Sequence, residues 1–127
     1  MKKIIAIVAT IGMALATAPS AMAHAQLASS FPKAKAIVKI WPTTAWVEFD
    51  GNLISLPGSK VDQLTIKDSM GKQVDVKNSS VDGARLSVSL GKIANVGKIT
   101  MSWRVVSEDG HPVQSSIFFY YLPTKKA

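Results

Sequence analysis

Within residues 97–106 (GKITMSWRVV) polar and apolar side chains alternate strictly from Lys98 to Val105. Ile99, Met101, Trp103 and Val105 fall on one side, and Thr100, Ser102 and Arg104 on the other. Successive side chains of an extended chain project to opposite faces, so the pattern describes a strand with one face in a core and one in water. A helix would split the same four apolar residues between opposite sides of its cylinder. Thr44–Phe49, Gln63–Asp68, Gln73–Val76 and Arg85–Leu90 read the same way, and an opening strand is expected near Gln26–Ser30. Val113–Tyr121 ends in Ile117-Phe118-Phe119-Tyr120-Tyr121, apolar on both sides, which suits a central or covered strand. Turn signals separate these stretches: Asp50-Gly51-Asn52, Leu56-Pro57-Gly58-Ser59, Met70-Gly71-Lys72, Asp82-Gly83 and Asp109-Gly110. No segment sustains a 3.6-residue period. About seven short strands at this spacing make an antiparallel β-sandwich.

The first 23 residues are read as an address rather than as fold. Lys2 and Lys3 precede a 13-residue stretch, Ile4 to Ala16, without a charge, and Ala21-Met22-Ala23 is a small-x-small cleavage site. That is the layout of a secretory signal peptide. A spanning helix needs about 20 apolar residues, and Pro19 and Ser20 interrupt well before that. The expectation is a signal peptide over 1–23, cleavage after Ala23, and one periplasmic domain over 24–127.

Without Lys2 and Lys3 the chain counts 13 basic against 8 acidic residues, a net +5. A basic balance can signal nucleic acid or an anionic membrane. Here the lysines are spread singly, with one adjacent pair at Lys125-Lys126, and the reading is a solvated surface with no nucleic-acid role. The chain has no cysteine, which excludes a disulfide framework, a thiolate metal site and a cysteine nucleophile.

Few residues remain to carry chemistry. The two histidines are His24 and His111. Cleavage after Ala23 would put His24 at the new terminus, where its α-amine and its Nδ1 can close a six-membered chelate ring on a metal. The amine has an unperturbed pKa of about 7.7–8.0, so a metal displaces its proton easily near neutrality. His111 lies in Ser107-Glu108-Asp109-Gly110-His111-Pro112. Asp109 and His111, two apart, project to one side of an extended segment with Cα atoms about 6–7 Å apart. The plain alternatives are a histidine tolerated by signal processing and an ordinary turn with a surface histidine. Taken together, an amine, two imidazoles and a carboxylate make a three-nitrogen, one-oxygen set of the type that suits tetragonal Cu(II); zinc would also accept such ligands, but chelation by the terminal amine favours copper. Met70 and Met101 are isolated, so a soft Cu(I) site is not expected, and Met101 has the parity of a core residue.

His24-Ala25-Gln26-Leu27-Ala28-Ser29-Ser30-Phe31-Pro32 resembles the mature start of CopC-type copper-binding proteins, H-A-x-L-x-x-S-x-P. Residues Trp103 to Val113 (WRVVSEDGHPV), followed by Phe118 or Phe119, resemble their W-R-V-V-S-x-D-G-H-P-V…F signature. The resemblance implies a seven-stranded Greek-key sandwich of cupredoxin or immunoglobulin type, in the periplasm. It also implies Cu(II) held by His24 (amine and imidazole), Asp109 and His111. It further implies a role in copper resistance or uptake, often beside a CopD-type inner-membrane partner. The chain itself is expected to be a monomer. The Met/His-rich loop that holds Cu(I) in some members is lacking, which points to the single-site type.

Two departures stand out. Where the family often has F-S-E, this chain has Phe49-Asp50-Gly51, with the acid one position earlier. A one-residue shift reverses the face of a strand, so Asp50 is not expected at the metal unless the loop relaxes. Ser115 stands where a glycine is frequent, and Trp41 and Trp46 are read as core or rim packing. The competing readings are a histidine-brace copper oxygenase, which would need open coordination positions that Asp109 fills, and a metal-free interaction module. The expectation is a non-enzymatic Cu(II) carrier.

Overall fold

The computed structural model describes residues 25–56, 61–91 and 94–124, which form eight strands and no helix. The expected signal peptide, His24, the turn residues Pro57-Gly58-Ser59 and the pair Lys125-Lys126 lie outside the described residues. One sheet holds β1 (Leu27–Phe31), β3 (Thr44–Phe49), β6 (Arg85–Ser89) and β5 (Ser80–Asp82), in the order β1-β3-β6-β5. The other holds β2 (Ile37–Val38), β8 (Pro112–Tyr121), β7 (Gly97–Val106) and β4 (Gln63–Lys67), in the order β2-β8-β7-β4. The chain repeatedly crosses between the sheets, and only β5–β6 and β7–β8 are hairpins of consecutive strands.

The alternation is what closes the sandwich. Ile99, Met101, Trp103 and Val105 of β7 are buried, and the residues between them are not. Ala45, Val47 and Phe49 of β3, with Leu86 and Val88 of β6, meet them from the opposite sheet. Burying each Val, Leu, Ile, Phe or Met side chain contributes about 1.5–3 kcal/mol, and Phe119, Leu64, Ile66 and Leu86 are among the largest that are fully enclosed.

Three features differ from the sequence reading. Gln73–Val76 forms no strand, only the isolated bridges Lys67↔Gln73 and Asp75↔Leu90. The reason is Asp75: its Oδ2 accepts the Ile66 N–H at 2.9 Å and its Oδ1 accepts the Lys77 N–H at 2.9 Å, so a side chain takes the place of a ladder. Ser79 Oγ accepts the Leu64 N–H at 2.9 Å in the same way, and the exposed edge of β4 is thereby closed to pairing with another chain. Second, β2 and β5 are two and three residues long, too short to display a period. Third, β2 runs parallel to β8, with Ile37↔Tyr120 and Val38↔Tyr121, so the sandwich is not wholly antiparallel.

One end of the sandwich gathers separate parts of the chain. Leu27 at the start of β1 is opposite Phe49 at the end of β3. The segment after β3 then crosses to the other sheet, where Leu53 bridges Ser107 and the Ile54 N–H donates to Val106 O at 2.9 Å. The start of β1 and the β7–β8 turn therefore share an end, above the edge-on contact of Phe49 with Trp103.

Candidate metal centre

The β7–β8 hairpin runs in register from Gly97↔Tyr121 to Val106↔Pro112, and its turn carries Asp109 and His111. The turn is closed by the Ser107 N–H donating to His111 O (3.1 Å) and the Gly110 N–H donating to Ser107 O (2.8 Å). Gly110 has φ +83°, and an added Cβ would meet nothing within 4 Å, so glycine is required by backbone conformation rather than by space. The pair is thus brought together by a left-handed turn and not by the extended segment that the spacing suggested.

Asp109 is held at both oxygens. Oδ1 accepts the Ser107 hydroxyl and the His111 N–H (3.1 Å), and Oδ2 lies 2.9 Å from His111 Nδ1. Ser107 is buried, so its hydroxyl is a fixed point. The Ser107 hydrogen bond, followed by those from the His111 side chain and backbone, holds the Asp109 carboxyl well below the usual carboxylate range. An ionised Oδ2 is an acceptor, so the facing Nδ1 donates and Nε2 becomes the nitrogen available to a metal. The imidazole is largely solvent-facing (65% exposed) whereas the Asp109 side chain is mostly covered (24%). Among the described residues no group of three or more His, Asp or Glu side chains is placed to hold a metal ion.

The chain start reaches this end. Ala25 is buried in the core, and Gln26 is tied to Asp50 twice. The Gln26 N–H donates to Asp50 Oδ1 (3.0 Å), and the Asp50 N–H donates to Gln26 O (2.9 Å). Asp50, which the strand parity left without a place, is therefore the anchor of the segment that follows His24. The acid-Gly-Asn turn composition was the available signal, since such residues bond neighbouring backbone. Trp41 packs on Phe119 and Tyr121, as core reading expected. Trp46 instead lies on the outer face of its sheet, with the Arg85 guanidinium 3.7 Å from its ring centre and Phe31 alongside.

A helix-free sandwich whose two longest strands are joined by an oriented carboxylate–imidazole turn defines a small β-sandwich protein with the makings of a metal site. The CopC domain family matches residues 27–121, and the chain belongs to that family. It is 35% identical over 119 residues to Copper resistance protein C of Xanthomonas campestris pv. juglandis, covering 88% of this chain and 90% of that protein. It is 31% identical over 102 residues to Protein YobA of Escherichia coli K12, covering 80% and 81%. The crystal structure of CopC from Methylosinus trichosporium OB3b superposes with a TM-score of 0.70 at 27% identity, over 82% of this chain and 99% of that one. PcoC, a methionine-rich copper resistance protein from Escherichia coli, shares the fold (TM-score 0.60, 22% identity, 78% and 99% coverage). This family is one of copper-binding resistance proteins, not of copper oxygenases.

Proposed function

We propose that the protein is a periplasmic Cu(II) carrier that binds one cupric ion through His24, Asp109 and His111. His24 supplies its α-amine and Nδ1 once the signal peptide is removed after Ala23, His111 supplies Nε2, and Asp109 supplies a carboxylate oxygen. The observation that carries this reading is the Asp109–His111 pair, with Nδ1 turned to an ionised carboxylate on a turn braced by buried Ser107. The anchoring of Gln26 at the same end supports a ligand from the chain start. Copper is cargo here: three nitrogens and one hard oxygen favour the divalent ion over Cu(I). The carrier acts as a monomer and delivers copper to a CopD-type membrane protein, a partner that the family resemblance suggests.

The test compares the mature chain beginning at His24 with the same chain carrying one extra residue ahead of it. The first should take up about one Cu(II) per chain with a tetragonal electron paramagnetic resonance spectrum, and the second should lose affinity by orders of magnitude. Equal affinity in the two forms, or mass spectrometry showing export cleavage at another bond, would refute the site.

A further inference from the structure

The lysines that lie scattered along the sequence are gathered by the fold. On the outward face of the second sheet, strand register sets Ile37, Tyr120 and Lys98 in one row across β2, β8 and β7. The next row is Phe118, Thr100 and Lys67 across β8, β7 and β4. Lys98 Nζ stands 4.4 Å over the Phe118 ring, and Phe118 packs edge-on to Tyr120 at 5.7 Å. The Lys35 N–H donates to Phe118 O at 2.7 Å, which brings a third lysine to the same border. Beside it Ile37, Ile40 and Leu122 are 63%, 84% and 42% exposed, with the Leu122 N–H bonded to Val38 O.

No outward position of these four strands carries a carboxylate. The acids are elsewhere: Glu48 and Asp82 belong to the other sheet, Asp50 follows β3 and is bonded to Gln26, Glu108 and Asp109 belong to the β7–β8 turn, and Asp62, just before β4, is buried with its Oδ1 accepting the Val106 N–H. Asp68 and Asp75 are buried, their oxygens taken by backbone N–H groups. Among the described residues none of Lys35, Lys67 and Lys98 forms an ion pair. The face is therefore cationic and apolar together. Lysine stems and aromatic rings settle at a lipid headgroup layer while ammonium groups meet anionic phosphates.

We propose that this half of the β2-β8-β7-β4 face docks on an anionic phospholipid surface. Exposed aliphatic residues next to the lysines favour a bilayer over a nucleic acid, for which charge alone would serve. Docked this way, the domain lies along the membrane, and the Asp109–His111 turn at the other end of the same sheet stays open to solvent and to neighbouring membrane proteins.

The test is co-sedimentation of the processed chain with phosphatidylglycerol vesicles and with phosphatidylcholine vesicles, in low and high salt. Binding to the first alone, lost in high salt, is expected. The variant Lys35→Gln/Lys67→Gln/Lys98→Gln should abolish it, and Lys98→Gln alone should weaken it about fivefold. Phe118→Ser should weaken it at unchanged charge, whereas Lys77→Gln, off the face, should have little effect. Equal binding to both lipids, no binding to phosphatidylglycerol, or undiminished binding by the triple variant overturns the proposal. So does capture of nucleic acid or an acidic protein by a chain that ignores vesicles.

Discussion

Asp50 and Gln26 grip each other through two hydrogen bonds, side chain to backbone at 3.0 Å and backbone to backbone at 2.9 Å. The carboxylate lies at the end of β3, and the glutamine lies two residues after the proposed amino-terminal ligand. The pair converts the position of a core strand into the position of the chain start.

Asp50→Ala should therefore loosen the beginning of β1. The expected cost in urea denaturation is about 0.5–1 kcal/mol, that of an exposed hydrogen bond. Copper affinity should fall by more than the stability change accounts for, and Asp50→Asn, whose carbonyl still accepts the Gln26 N–H, should restore most of it.

Ser107→Ala removes the hydroxyl that fixes Asp109 Oδ1. Supporting groups of this kind typically contribute 10–100-fold to metal affinity, and about that loss is expected. His111→Ala should abolish high-affinity binding. Competition titration against a Cu(II) chelator separates the two cases, and circular dichroism checks that both variants are folded.

Gly110→Ala places a side chain at φ +83°. The left-handed penalty is about 1–2 kcal/mol, and nothing nearby obstructs the new methyl. The turn should accordingly form but at that cost in stability, measurable as a lower thermal midpoint with an unchanged far-ultraviolet spectrum.

Asp68 is buried at the turn after β4, which pushes its carboxyl up, but bonds from Asn95, Lys72 and Met70 outweigh this and hold it below the usual range. A carboxyl more acidic in the folded state contributes stability that is complete above its unfolded value, near about 3.9, and is lost as pH falls through the lower folded value. Asp68→Asn should thus be less stable than the native chain by a constant margin from pH 7 to about 5, narrowing below about 4. Urea denaturation across that range reads the margin, and a margin independent of pH would contradict the assignment.

The sequence by itself determined the parts that depend on neighbours along the chain. The all-β class was legible because side chains alternate at every residue of a pleated strand, and β7 and β8 lie close to where Ile99–Val105 and Val113–Tyr121 put them. The turn carrying Asp109 and His111 was legible from Asp109-Gly110, a local turn signal, although the extended geometry read from the two-residue spacing was not what brings the pair together. What only the tertiary structure decided are relations between distant residues. Asp75 and Ser79 substitute for a strand along β4, Asp50 anchors Gln26, and Lys67 and Lys98 share one face with Phe118 and Tyr120, with the Lys35 backbone bonded at its border. Periodicity specifies which face a residue takes. It carries no record of which other strand will lie beside it, because that choice is made by core packing and chain crossings between the sheets.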